Sequence, residues 1–218
     1  MCFYYHLSKL AQQYKDRAKS AEVLKELDLV NGFTYPKMPV ITPNALELMQ
    51  WGLIPFWAKD NAIKKHTLNA RSETIFEKPS FRRSVLEKRC LIPANGFFEW
   101  QHIGSKKQPF YIRLRNQQTF NFAGIWDEWI DHDTGEILKT YSILTTAANP
   151  LMAIIHNSKK RMPVILTEEV ENNWLEKDLS KSEIISFFTP IDVRLLEAYP
   201  IKPFQIQEPL QPGIINRL

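Results

Sequence analysis

The chain has 218 residues, of which 44% are hydrophobic, 12% aromatic and 24% charged. These proportions belong to a globular protein and exclude a wholly disordered or fibrous one. Two cysteines are too few for a disulfide scaffold, and alone they cannot fill a four-ligand zinc site. The net charge of +4 conceals an asymmetry: residues 1–60 carry +1, residues 61–120 carry +8 (12 basic against 4 acidic), and residues 121–218 carry −5.

Met-Cys-Phe-Tyr-Tyr-His opens the chain without a basic region or an apolar run, so no secretory signal is expected. No stretch of 18 apolar residues is present, so no transmembrane helix and no membrane partner are expected. The expected setting is the cytoplasm (nucleoid-associated in a bacterium), where both thiols stay reduced.

Residues 8–29 read as one helix, capped by Ser8, with Leu10, Tyr14, Ala18, Ala21, Leu24 and Leu27 at helical spacing. Asn31-Gly32 ends it, and Pro36 and Pro39 impose an extended path through Val40 and Ile41. Leu46 and Leu48 alternate with polar neighbours into Trp51, which predicts a strand. Pro79-Ser80 opens a short helix through Leu86. Strands are then predicted at Cys90–Ile92, Phe97–Trp100, Phe110–Leu114, Phe120–Trp126, Tyr141–Thr145 and Val164–Leu166. Asp133-Thr134-Gly135 reads as a hairpin turn. Thr167 and Ser180 are caps of two late helices, Ser180 forming a capping box with Glu183. Strands in the middle and helices at the flanks predict an α+β fold. Its core is a mainly antiparallel curved sheet or open barrel. A single domain over residues 1–218 is expected, with 203–218 a candidate extended tail.

Four places carry reactive chemistry. Cys2 has a side chain small enough to permit removal of Met1, which leaves an α-amine beside a thiol, with pKa values of about 7.7–8.0 and 8.5. Against an aldehyde, the amine forms an imine and the thiol closes on the same carbon, giving a five-membered thiazolidine. An incidental cysteine after the initiator is the plain alternative, and Cys90, within an apolar run, reads as a core thiol. Glu99 sits in Gly96-Phe97-Phe98-Glu99-Trp100. Pointing inward, it would be desolvated and suited to proton transfer; pointing outward, it is an ordinary strand residue. His156 follows Ile154-Ile155 and precedes Lys159-Lys160-Arg161, a setting for a general acid or base near phosphates, or for a capping histidine. Asn69-Ala70-Arg71-Ser72-Glu73-Thr74 offers an amide and a phosphate-gripping guanidinium, or simply turn and helix-start chemistry. His6, His66, His102 and His132 show no ligand-like spacing, so no metal site is expected. The basic excess, interleaved with Trp and Phe, suits a polyanion groove.

These segments also occur together in a telling order. Cys2, Trp51-Gly52-Leu53-Ile54-Pro55-Phe56-Trp57, Asn69 to Thr74, Arg89 to Trp100, Lys107 to Phe110, and Ile155-His156 to Leu166 resemble the SRAP (SOS response-associated peptidase) family, whose members crosslink to abasic sites in single-stranded DNA. The resemblance runs from Cys2 to about Leu166 and more loosely beyond. It implies Cys2 as nucleophile after loss of Met1, and Asn69 as the residue orienting the cysteine amine and the sugar. It implies Glu99 as acid–base residue and His156 as an aid to sugar ring opening. Arg71 and Arg161 would bind phosphate, while Trp51, Trp57, Pro36 and Trp100 would wedge or stack at a single-strand/double-strand junction. No cofactor is implied, and the chain is expected to act as a monomer. Family members commonly begin Met-Cys-Gly-Arg, whereas this chain has Phe3 and Tyr4. Two other functions remain open: a thiol peptidase that processes itself, and a non-catalytic module that binds single strands or junctions.

Overall fold

The computed structural model describes residues 2–7, 27–116 and 118–203. Most of the helix expected over 8–29 lies outside the described residues. Its last residues are instead strand, because Leu27–Asn31 pairs with the chain start.

Among the described residues, thirteen strands in two sheets make up the frame. The first sheet joins β1 (Tyr4–Leu7), β2 (Leu27–Asn31), β7 (Gly96–Ile103), β8 (Lys106–Leu114) and β13 (Leu196–Pro200) in the order β13-β8-β7-β1-β2. The second contains β3 (Lys37–Ile41), β4 (Leu46–Trp51), β6 (Arg89–Ala94), β9 (Phe120–Ile130) and β10 (Ile137–Ala147). They pair side by side in the order β10-β4-β3-β6-β9, and β9 also pairs with β10, so they close into a barrel. Closure removes the exposed edges that an open sheet would leave. Pairing is antiparallel except where β10 runs parallel to β4 and to the short β5 (Asn69–Arg71). β11 (Arg161–Pro163) and β12 (Ile165–Leu166) extend the barrel sheet at β10 and β9.

Among the described residues the α-helices are short: α1 (Ser84–Glu87), α2 (Pro150–Ile155), α3 (Glu168–Leu175) and α4 (Lys181–Ser186). α1 begins later than the Pro79-Ser80 signal, after a stretch of turns. Thr167 and Ser180 occupy the two expected N-cap positions, and Ser180 with Glu183 completes the capping box, whereas the Thr167 side chain makes no cap bond. Gly135, at φ +73°, lies between β9 and β10 where the hairpin turn was expected.

Apolar alternation along the strands places side chains on both faces of each sheet. The principal core joins the two sheets through Tyr5, Met38, Met49, Trp51, Phe97, Phe122 and Tyr141, with Cys2 and Cys90 among them. On β8, Tyr111 is buried against Phe98 and Tyr199. Among the described residues no helix is long and apolar enough to cross a membrane.

Candidate active site and nucleic-acid interface

Three structural devices bring distant side chains together. The first is the pairing of β1 with β7, which sets Tyr5 opposite Phe97 and His6 opposite Gly96. Extending that register three residues directs Cys2 toward the Glu99–Trp100 stretch. Gly96 permits the approach, because a Cβ there would lie 2.4 Å from the Tyr111 ring. The Tyr111 hydroxyl in turn bonds His6 Nδ1 at 2.8 Å.

The second device is the end of β10. Asn69 and Arg71 on β5 pair with Ile143 and Thr145, and Arg161 on β11 pairs with Ala147. The third is α2, which leaves β10 through the Asn149 cap and ends at His156. Gln101 donates to the Ile154 carbonyl, while His102 and Asn157 exchange two hydrogen bonds. These contacts tie the end of α2 to β7, the strand that carries Glu99. Lys160, at φ +50°, turns the chain back so that Arg161 can enter β11. That left-handed conformation is uncommon outside glycine, and it is held by bonds from Lys160 N–H to the His156 carbonyl and from Ala148 N–H to the Lys160 carbonyl.

The result is a buried acid–base group beside a buried thiol. Glu99 points inward, only 4% exposed, and its Oε1 lies 4.0 Å from His156 Nδ1. Burial raises the Glu99 carboxyl to about 7. Burial also lowers the His156 imidazole to about 4, with help from the positive charges of Lys159 and Arg161. His156 Nδ1 is 2.8 Å from the Arg161 carbonyl oxygen; a neutral ring donating there fixes the tautomer and leaves Nε2 as acceptor. The Cys2 thiol is fully buried, and burial together with the Glu99 carboxylate pushes its pKa upward. Its Sγ is 3.7 Å from the Tyr4 carbonyl oxygen. A thiol in this setting is protonated near neutrality and needs a base to react. Two carboxyl and imidazole groups with pKa values pushed in opposite directions can hold and pass one proton near neutral pH.

The Asn69 amide is buried, and neither its oxygen nor its nitrogen has a hydrogen-bond partner. Buried amides are normally satisfied, so this one has donor and acceptor capacity available for a bound molecule. Arg71 is exposed. Arg161 makes a bidentate pair with Glu73, at 2.7 and 2.9 Å, and also donates to the Thr145 carbonyl at 2.8 Å. Its guanidinium is therefore oriented, and shared with a carboxylate on the hexapeptide that carries Asn69 and Arg71. Glu73 lay within the quoted motif without an assigned role; an acid two residues from an arginine was the available signal. The buried contact between the Tyr5 and Tyr141 hydroxyls at 3.4 Å, close enough to Cys2 for their charges to couple, had no signal in the sequence.

The tryptophans divide. Trp51 has no exposed surface; it stacks on Tyr141 and donates from Nε1 to the Leu68 carbonyl at 2.8 Å. The expected base contact by Trp51 is corrected to a core role, since no ring face is open to a base. Trp57 is 47% exposed beside the equally exposed Phe56. Pro36 and Trp100 are half-buried, and Trp100 packs edge-on against Tyr4. Cys90 is buried, as its apolar run implied. No group of three or more potential metal ligands occurs among the described residues.

The model of the SOS response associated peptidase (SRAP) family matches residues 1–204. The abasic site processing protein YoaM of Bacillus subtilis is 45% identical over 160 residues, covering 72% of this chain and 69% of the relative. The abasic site processing protein HMCES of Xenopus tropicalis is 32% identical over 170 residues, and the match spans half of that longer protein. A solved structure from Bacteroides thetaiotaomicron superposes over the full length of both chains with a TM-score of 0.93 at 43% identity. Another, from Bordetella bronchiseptica, gives 0.75 at 26% identity, covering 93% of this chain and all of the other.

Proposed function

This chain belongs to the SRAP family, and we propose that it is an abasic-site sensor that traps the ring-opened sugar of single-stranded DNA as a thiazolidine on Cys2. The observation that carries this reading is the placement of Glu99, 4.0 Å from His156 and near enough to the buried Cys2 thiol for their charges to couple.

The chemistry follows from those groups once Met1 has been removed. An abasic sugar is mostly a closed hemiacetal, and opening it moves a proton from the hydroxyl at C1′ to the ring oxygen. Neutral His156 and Glu99 are the side chains poised for that transfer. The free Cys2 amine then adds to the aldehyde carbon, and loss of one water gives an imine. The thiol surrenders its proton, with Glu99 as the acceptor, and sulfur adds to the imine carbon while the nitrogen is reprotonated. The five-membered ring contains N, Cα, Cβ, Sγ and C1′, and the net change is loss of one water. A lysine, lacking the thiol, would stop at the reversible imine.

The unsatisfied Asn69 amide orients the amine and the sugar oxygen. Arg71 and Arg161 hold the flanking phosphates, which position a strand without reading its sequence. Trp57, Pro36 and Trp100 bound the strand at a single-strand/double-strand junction. The protein acts as a monomer on DNA, in the cytoplasm, and shields the site during repair. The protein free of Met1, mixed with single-stranded DNA containing one abasic site, should give a heat-stable adduct that Cys2→Ala does not form. An equal adduct in Cys2→Ala refutes the reading. Equal, salt-sensitive binding of intact and abasic strands without any adduct would identify a non-catalytic binding module instead.

A further inference from the structure

Immediately after Cys2 the chain carries Phe3 and Tyr4, and these side chains build a surface. The Phe3 ring lies 4.8 Å from the Phe33 ring at an interplanar angle of 35°. Tyr4 contacts Phe33 at 6.0 Å and Trp100 at 5.2 Å. Phe33 sits on a one-turn 3-10 helix (Gly32–Thr34) whose entry is fixed by Asn31, the side-chain oxygen of which accepts from Phe33 N–H at 3.0 Å. The turn is pinned to the chain start by a bond from Gly32 N–H to the Phe3 carbonyl at 2.9 Å. Phe33 is nonetheless 53% exposed, so a large ring is held rigidly with one side facing solvent.

We infer that the Phe3–Phe33 pair is a stacking seat for the nucleobase next to the abasic sugar, which makes capture by this protein depend on the base beside the lesion. The inference rests on the crosslinking reading above, because the covalent bond to Cys2 commits the occupant. A sugar joined to residue 2 carries its neighbouring nucleotide one sugar–phosphate repeat away, within reach of the residue that follows Cys2. An exposed aromatic ring stacks on any base because every base has a π face, and a ring held in place loses little entropy on contact. Capture is then expected to favour purines, which offer the larger face, at the neighbouring position.

The test compares strands with an adenine, or a baseless and unreactive tetrahydrofuran spacer, on the 5′ or the 3′ side of a single abasic site. Adduct formation is timed at subsaturating DNA with the wild type, Phe33→Ala and Phe33→Tyr. Wild type should react about tenfold more slowly when the seated neighbour loses its base. Phe33→Ala should react at the slow rate with both neighbours, and Phe33→Tyr should restore the difference. Because Phe33 is exposed, its thermal melt checks that the Ala variant remains folded. The inference is overturned if wild type ignores both neighbours, or if Phe33→Ala keeps the full dependence. Fluorescence anisotropy with tetrahydrofuran in place of the abasic site separates the two proposals. If no strand forms an adduct, the crosslinking reading fails, while a base-dependent affinity lost in Phe33→Ala still reports the seat.

Discussion

Replacing Glu99 by glutamine should make the protein more stable and less active, with a pH dependence set by burial of the carboxylate. The side chain is 4% exposed, and burial raises its pKa from 4.5 to about 7. The folded-state value lies above the unfolded one. The stability associated with the protonated acid is therefore fully present below about pH 4.5 and lost as the pH climbs through 7. The difference of about 2.5 units corresponds to about 3 kcal/mol at pH 8, where the folded protein must hold a desolvated carboxylate. Glu99→Gln keeps the shape and removes that charge. Urea titrations should therefore show the variant more stable by about 3 kcal/mol at pH 8 but by less than about 1 kcal/mol at pH 5. In thermal melts the pH 8 gain amounts to about 6–12 °C for a chain of this size. Adduct formation should fall by about 10²–10⁴, the usual contribution of a positioned proton-transfer group. A variant that is less stable at pH 8, or whose stability runs parallel to wild type from pH 5 to 8, would refute the claim that Glu99 is a desolvated acid.

Other consequences follow from the same geometry. Trp51→Ala should cost about 3–5 kcal/mol because it empties a fully buried site. Trp57→Ala should stay within about 0.5 kcal/mol of wild type and yet weaken single-strand binding; denaturant melts and anisotropy separate the two. In NMR titrations the His156 ring should stay neutral until the pH approaches about 4, whereas a midpoint near 6.5 would contradict its burial. Gly96→Ala would place a methyl group 2.4 Å from Tyr111. It should destabilise the protein by about 1–3 kcal/mol and slow adduct formation by shifting β1, which carries Cys2. An unchanged rate in a folded Gly96→Ala would show that β1 does not position the nucleophile.

Much of the barrel was legible because its strands announce themselves locally. Leu46 to Trp51, Phe120 to Trp126 and Tyr141 to Thr145 combine β-branched or aromatic residues with turn signals at their ends. The observed strands reach further, to Ile130 and back to Ile137, because the long β9–β10 hairpin pairs even its exposed ends. Closure of the barrel was not legible, since the β4–β10 and β3–β6 contacts join distant segments and depend on twist and register summed over many residues. At Leu27–Leu29 helical spacing gave way to pairing with β1, a tertiary contact that periodicity does not see. Cys2, Glu99 and His156 were legible as chemistry, but their meeting depends on the β1–β7 register and on α2 docking to β7. Trp51 shows the opposite limit. An aromatic beside Gly and Pro reads the same whether it faces DNA or the core, and only its contact with Tyr141 decides.

The central claim is that residue 2 is the aldehyde trap, and tandem mass spectrometry of the adduct tests it most directly. Protein and a single-stranded oligonucleotide with one abasic site are mixed without reductant, the DNA is trimmed by nuclease, and the protein is digested. The account predicts a peptide that begins at Cys2, carries the sugar remnant with the loss of one water, and has no free thiol at that residue. An adduct on a lysine, or on a peptide that retains Met1, would contradict it.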